Sequence, residues 1–229
     1  MDFRPRLKED NPDPRIACAL LLDTSASMAG GPINALNQGL ELFCDEIKKD
    51  ELAQKRAEIT VISFGGGARV EIPFTEGRDL QPRTLMAAGD TPMGAALNLG
   101  LEQLQHQKQA YRQAGLEYYR PWLFLLTDGE PTDEPVFASA AEHVRQVEAA
   151  KGVAVFPIGV GPYVNVDRLR RVSGERTPVM LEGLSFREFF QWLSASLSAA
   201  SASNAFGSSD SAGSTEQIPL PSPQGWAQV

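Results

Sequence analysis

The sequence is poor in the residues that form covalent crosslinks and transition-metal sites. Its 229 residues include two cysteines and two histidines, without the paired CxxC motifs or Cys/His cluster typical of a zinc site. A chain of this length can bury a substantial core without disulfides. We therefore predict that Cys18 and Cys44 are reduced core residues, Cys18 in a strand and Cys44 on the inner face of a helix.

Long apolar runs and an excess of positive charge are also missing. No stretch approaches about 18 consecutive apolar residues, so no membrane span is expected. The first residues lack the apolar core of a signal peptide. The net charge of −8 at pH 7 argues against nucleic acid as a main partner. The expected location is the cytoplasm.

The common catalytic motifs are absent as well. The sequence has no phosphate-binding Gly-x-x-x-x-Gly-Lys loop and no Gly-x-Ser-x-Gly nucleophile elbow. The Gly159-Val160-Gly161-Pro162 segment lacks the third glycine of a dinucleotide site. An aspartyl-phosphate enzyme using Asp23 would be expected to carry a second acid two residues later, where Ser25 stands. Without an evident base–nucleophile pair, we predict that the protein is not an enzyme.

Apolar patterning alternates between strands and helices. Continuous apolar runs at 16–22 and 122–126 predict strands covered on both faces. Further strands are predicted at 57–64, 68–74, 153–158 and 179–181. Spacings of three and four predict amphipathic helices, among them Ile33, Leu36, Leu40, Phe43 and Ile47 in one helix and Phe186, Phe189, Leu193 and Leu197 in the last.

These elements predict the fold class. The short Gly65-Gly66-Gly67 turn requires the two strands that flank it to be antiparallel. Longer crossovers follow most other strands, as in parallel sheets. The expected fold is therefore α/β, a Rossmann-like three-layer sandwich whose mostly parallel central sheet has one antiparallel edge strand.

Composition divides the chain into three parts. Residues 1–14 are polar and contain three prolines, which predicts an N-terminal arm. Residues 15–199 form the domain, and residues 200–229 form a Ser/Pro-rich flexible tail. Two questions stay open: whether apolar residues of the tail pack back onto the domain, and whether its serines are phosphorylated or only solubilise a linker.

Three polar segments follow the predicted buried strands or begin a helix. Asp23, Ser25 and Ser27 come directly after the first strand, and Asp128 follows the strand at 122–126. Thr91, before Pro92, is the expected N-cap of a helix whose first residue is that proline. Each segment alone is common turn or cap chemistry. Because ligands collect beyond the carboxyl ends of such strands, and because Mg²⁺ prefers oxygen ligands, the three together predict a magnesium site.

The chain resembles the von Willebrand factor A (VWA) domain family over roughly residues 14–199. That family's metal-ion-dependent adhesion site reads D-x-S-x-S, then T, then D, and the matching positions are Asp23, Ser25, Ser27, Thr91 and Asp128. Residues 89–97 and 126–133 resemble bacterial tellurium-resistance proteins of the TerY/YegL type. Asp90 stands where glycine is expected in those relatives.

The resemblance implies a role for each site residue. Ser25 and Ser27 would bind the cation directly, Thr91 directly or through water, and Asp23 and Asp128 largely through water. Mg²⁺ is the expected ion, with Mn²⁺ and Ca²⁺ as alternatives. Neutral hydroxyl ligands leave the ion with positive charge that attracts a carboxylate from another protein.

Four further carboxylates are expected to be solvated and to make the rim acidic: Asp90, Glu130, Asp133 and Glu134. A partner carboxylate flanked by Lys or Arg would suit such a rim.

The function expected from these observations is a Mg²⁺-dependent protein-binding module that captures an exposed Asp or Glu of a partner. The resemblance implies a bacterial stress-response or signalling assembly of the tellurium-resistance type. Partners implied in the same way include protein kinases and metal-dependent phosphatases. Two alternatives remain open: a metal-dependent phosphatase or other hydrolase, and a structural metal site without a partner.

Overall fold

The computed structural model describes residues 11–161, 164–202 and 227–228. Within them, seven strands form one sheet in the order β3-β2-β1-β4-β5-β6-β7. The strands are β1 (Ile16–Asp23), β2 (Ala57–Phe64), β3 (Ala68–Glu76), β4 (Trp122–Thr127), β5 (Ala154–Val160), β6 (Val179–Leu181) and β7 (Ala227–Gln228).

The sheet is mostly parallel. Strands β2, β1, β4, β5 and β6 run parallel to one another, and β3 pairs antiparallel with β2 at one edge. The predicted fold class is therefore confirmed. A feature that the sequence did not predict is β7, which pairs antiparallel with β6 at the other edge through Met180↔Gln228 and Leu181↔Ala227.

Helices cover both faces of the sheet. They are α1 (Gly31–Lys49), α2 (Ala53–Arg56), α3 (Met93–Gln113), α4 (Glu134–Ala149), α5 (Val166–Arg170) and α6 (Phe186–Ala202). Helices α1 and α6 pack on one face and α3 and α4 on the other. Alternate residues of β1 enter the two cores, Leu20 and Leu22 on one side and Ala19 and Leu21 on the other, as the two-residue period of a strand requires.

Both cysteines are buried and free, as predicted. Burial raises the pKa of the Cys18 thiol, and it raises that of Cys44 to about 12. Since the thiolate is the reactive form of cysteine, both side chains behave as inert core residues.

A buried ionic network ties the start of β1 to β2 and α3. The Arg15 side chain is fully buried, and its Nε donates to Glu58 Oε1 at 3.0 Å. The Tyr111 hydroxyl donates to Glu58 Oε2 at 2.9 Å, and the Gln107 amide donates to the same oxygen. Burial raises the pKa of the Glu58 carboxyl, while the hydrogen bond from Tyr111 and the charge of Arg15 oppose that rise. Arg15 also donates to the carbonyl of Asn11 at 2.6 Å, which fixes the chain ahead of β1.

Parts of the predicted arm and tail lie outside the described residues. These are residues 1–10 of the arm and residues 203–226 and 229 of the tail, with most of its serine-rich stretch. No helix in the described ranges is both long enough and apolar enough to cross a membrane.

Candidate metal site

The strand order places the predicted site residues together at the carboxyl ends of the parallel strands. Strands β1 and β4 are neighbours, with Leu22 opposite Leu126. Asp23 ends β1 and Asp128 follows the last residue of β4. Both strands run in the same direction, so the loops that carry the two carboxylates leave the sheet side by side.

Hydrogen bonds join four of the five predicted residues. Asp23 Oδ1 accepts the backbone N–H of Ser25 at 2.8 Å, and Asp23 Oδ2 accepts the Thr127 hydroxyl at 2.5 Å. The hydroxyl oxygens of Ser25 and Ser27 lie 3.0 Å apart. The Ser27 hydroxyl donates to Asp128 Oδ1 at 2.8 Å. The hydroxyls of Ser25 and Ser27 thus connect the loop after β1 to the Asp128 carboxylate on the loop after β4.

Thr91, the fifth residue, lies against the loop that carries Asp128. Its backbone N–H donates to Thr132 Oγ1 at 3.1 Å, and its carbonyl accepts the Thr132 N–H at 3.0 Å. Its hydroxyl oxygen is 3.7 Å from the position that a Cβ on Gly129 would occupy. The structure therefore brings all five predicted residues to the carboxyl ends of the parallel strands.

Thr127 contacts the candidate site, although the sequence analysis did not single it out. It is fully buried, donates to Asp23, and its oxygen accepts the Gly129 N–H at 3.2 Å. A buried hydroxyl at the end of a strand needs a hydrogen-bond partner, and that requirement was the available signal. Thr127 therefore holds the Asp23 carboxylate in place.

Glycine at position 65 allows the turn after β2 to pack closely against the loop that carries Ser25 and Ser27. A Cβ on Gly65 would lie 2.1 Å from the Thr24 carbonyl oxygen and 2.7 Å from that of Ala88. The Ala88 N–H donates to the Thr24 carbonyl at 2.8 Å, and the Ala26 N–H donates to that of Gly89 at 2.9 Å. Two other loops thus fix the segment from Asp23 to Ser27. The sequence analysis interpreted residues 65–67 only as a tight turn.

The predicted N-cap of α3 is wrong. The helix begins at Met93, Pro92 occupies the cap position, and no side chain of the preceding segment makes a capping bond. Instead, Asp133 accepts the N–H groups of Gly94 and Ala95 at 3.0 and 2.9 Å, one on each carboxylate oxygen. The carboxylate comes from about 40 residues further along the chain, which local sequence rules do not consider. It satisfies unpaired amides and complements the helix dipole.

Replacing Asp133 by alanine is expected to lower the free energy of unfolding by about 1–2 kcal/mol, the usual value of a lost helix cap. Asp133→Asn keeps one acceptor oxygen and should lose less. Urea unfolding followed by circular dichroism measures both variants. An alanine variant as stable as the wild type would contradict the capping role.

The expectation of a solvated acidic rim holds in part: the Glu130 and Glu134 side chains stay 51% and 44% exposed, but both are ion-paired, and Asp133 caps α3. Besides Asp133, Glu130 and Glu134 are bonded: Arg168 pairs with them at 3.1 and 2.8 Å, and Arg171 pairs with Glu134 at 2.9 Å. The hydrogen bond from Arg171 and the nearby charge of Arg168 lower the pKa of Glu134. Asp90 is exposed, as expected.

The two carboxylates of the site are not neutralised by the protein. Within the described part of the chain, no Lys, Arg or His forms an ion pair with Asp23 or Asp128. Burial raises the pKa of Asp23, as does the charge of Asp128, whereas hydrogen bonds from Ser25 and Thr127 lower it. The described residues contain no group of three or more His, Cys, Asp or Glu suited to a metal. A cation here would need hydroxyl ligands, and this all-oxygen set fits Mg²⁺.

Comparisons with known proteins agree with this architecture. The model of the von Willebrand factor type A domain matches residues 18–189, more than half of the chain. A von Willebrand factor type A protein from Catenulispora acidiphila is 20% identical, with a TM-score of 0.60 over 81% of this chain and 43% of that one. The pilus adhesin SpaC from Lactobacillus rhamnosus GG is 12% identical, with a TM-score of 0.64 over 82% and 31%.

The manganese-loaded TRAP protein of Plasmodium vivax is 20% identical, with a TM-score of 0.51 over 71% of this chain and 63% of that one. In all three cases the match spans less than two thirds of the other protein. Structural similarity at these identities establishes the fold, and the family model covers β4 and all but the first two residues of β1. The chain therefore belongs to the von Willebrand factor type A domain family.

Proposed function

We propose that the protein is a Mg²⁺-dependent protein-binding module whose metal-ion-dependent adhesion site consists of Asp23, Ser25, Ser27, Thr91 and Asp128. The observation that carries the proposal is the cluster of hydroxyls and two unneutralised carboxylates at the carboxyl ends of β1 and β4. Domains of this family often mediate protein–protein interaction or adhesion. The manganese in the TRAP relative supports a divalent cation, with Mn²⁺ and Ca²⁺ as further candidates.

The hydrogen bonds suggest how the protein would hold the ion. The hydroxyls of Ser25, Ser27 and Thr91 would be the inner ligands. Asp23 is fixed by the Ser25 amide and the Thr127 hydroxyl, and Asp128 orients Ser27. When bound, the cation supplies positive charge for a carboxylate of the partner, because neutral ligands do not consume that charge.

The biological setting is part of the proposal. The resemblance of residues 89–97 and 126–133 to TerY/YegL-type proteins supports a cytoplasmic bacterial stress-response assembly of the tellurium-resistance type. A kinase or a metal-dependent phosphatase with an exposed Asp or Glu is the partner this setting favours. The relatives reported above include an adhesin, which agrees with a function other than catalysis.

A chelator-controlled pull-down from the native host tests the proposal. Bait proteins are the wild type, Asp23→Ala and Ser27→Ala, each in Mg²⁺ and in EDTA. Ser27 is exposed, so its variant removes a ligand without creating a core cavity. Asp45→Ala, which removes an exposed carboxylate on α1, is the control. We expect a partner to be retained only by the wild type and the control, and only in Mg²⁺.

Three results would contradict the proposal. Equal retention in all samples would exclude metal bridging. A Mg²⁺-dependent rise in melting temperature without a retained partner would favour a structural metal site. Turnover of a generic phosphoester that disappears in both site variants would favour a hydrolase.

A further inference from the structure

An apolar pocket opens directly beside the candidate metal site. Its volume is about 350 Å³, within the range of ligand-binding pockets. Ser27 and Asp128 are among its lining residues, so the pocket and the site share two residues. The rest of the lining is apolar or glycine: Met28, Pro32, Val160, Gly161, Gly183 and Leu184.

Leu184 forms the exposed wall of this pocket. It lies in the loop between β6 and α6, with 45% of its surface exposed. Its Cδ1 atom is 3.7 Å from the position that a Cβ on Gly31 would occupy, so it reaches the first residue of α1. Exposed leucine surface gains free energy when a partner covers it, whereas Met28 and Val160 behind it are already buried.

Other exposed apolar side chains lie on segments near the carboxyl ends of the strands. Among the described residues, the large exposed hydrophobic side chains are those of Leu52, Met86, Val136 and Leu184. Met86 lies two residues before Ala88, whose N–H donates to the Thr24 carbonyl, and Val136 lies in the first turn of α4, the helix that follows β4. Of these four, only Leu52 lies near the amino ends of the strands, shortly before β2. Of these four side chains, Leu184 is the one that lines the pocket.

The lining of the pocket carries little charge. Among the residues that the structure describes, Asp128 is the only charged one that lines it. Glu130 and Glu134, next along the chain, are paired with Arg168 and Arg171. Depletion of charge is typical of the centre of a protein interface. The pocket therefore suits an apolar side chain better than the basic flank expected from the sequence.

We propose that the partner segment carries a large aliphatic or aromatic side chain within two residues of its metal-binding Asp or Glu. That side chain fills the pocket against Leu184. Because Ser27 and Asp128 border both the pocket and the site, and an extended chain advances about 3.3 Å per residue, neighbouring residues can occupy both. This inference rests on the proposed function and specifies the partner that the site selects.

A peptide library displayed on phage provides the test. Peptides are selected on the wild type in Mg²⁺ and eluted with EDTA, which recovers only metal-dependent binders. We expect the recovered sequences to pair an Asp or Glu with a nearby Leu, Ile, Met or Phe. One such peptide, and its variant with the apolar residue replaced by alanine, are then titrated against the wild type, Leu184→Ser and Leu52→Ser.

The two protein variants are matched, since both leucines are partly exposed, at 45% and 38%. Leu184→Ser should weaken binding of the parent peptide roughly fivefold and leave binding of the alanine peptide almost unchanged. The difference isolates the contact between the two side chains. Leu52→Ser should bind both peptides as the wild type does.

Two outcomes separate the inference from the proposed function. EDTA-eluted peptides without an apolar preference, or equal weakening of both peptides by Leu184→Ser, would overturn the inference and leave the metal-bridged function intact. A selection that yields no EDTA-dependent peptide would contradict the proposed function itself, and the inference with it.

Discussion

Replacing Gly65 by alanine is expected to destabilise the protein by about 3 kcal/mol, the upper end of typical overpacking costs. The added methyl group would lie 2.1 Å from the Thr24 carbonyl oxygen and 2.7 Å from that of Ala88. Both obstacles are backbone atoms, which cannot rotate away as a side chain does. Because Thr24 lies within the proposed metal-binding loop, the variant should also lose any stabilisation by Mg²⁺. Urea unfolding in Mg²⁺ and in EDTA measures both effects.

Gly67→Ala is the matched control for this prediction. It lies in the same turn, and no atom comes within 4 Å of the position of its Cβ. We expect its stability to stay within about 0.5 kcal/mol of the wild type, as at most surface positions. Equal stability of the two alanine variants would refute the close approach of the loops at Gly65.

Replacing Glu58 by glutamine is expected to lower the free energy of unfolding by about 3–5 kcal/mol, the usual effect of removing one partner from a buried ion pair. The guanidinium of Arg15, whose side chain is fully buried, would lose its carboxylate. Glutamine is close to glutamate in size, so the loss would reflect charge and hydrogen bonding rather than a cavity. Urea unfolding provides the measurement, and Glu142→Gln, in an exposed pair with Arg145, should have no measurable effect.

A double variant separates charge from packing at this position. Arg15→Met with Glu58→Leu removes both charges and keeps similar volumes, so it should recover much of the lost stability. Recovery should be incomplete, because Tyr111 and Gln107 would lose their acceptor. A double variant no more stable than Glu58→Gln would indicate that the unpaired charge is not the cause.

The main features of the fold were predictable because they depend on local patterns. The apolar run that forms β1 has no polar residue before Asp23. The turn at residues 65–67 is too short to join parallel strands, so β2 and β3 must be antiparallel. The meeting of Asp23 and Asp128 followed from a general rule about the carboxyl ends of parallel strands. In these cases, a short segment contains the information that determines the outcome.

The features that were missed depend on contacts between distant segments. Asp133 replaces Thr91 as the cap of α3 because α4 begins beside it. Arg168 and Arg171 reach Glu130 and Glu134 from α5 and the residue after it. The contact between Gly65 and Thr24 joins the turn after β2 to the loop after β1. Strand β7 has only two residues, too few to produce a periodic signal.

Both edges of the sheet are arranged in ways that discourage addition of a strand from another chain. At one edge, β3 carries an exposed proline, Pro73, and the charged pair Arg69 and Glu71, and such residues are poorly suited to further pairing. At the other edge, β7 occupies the hydrogen-bonding positions of Met180 and Leu181. Recognition by β-strand addition is therefore disfavoured at these positions, so a partner of this domain would be bound through side chains rather than through the main chain of the sheet.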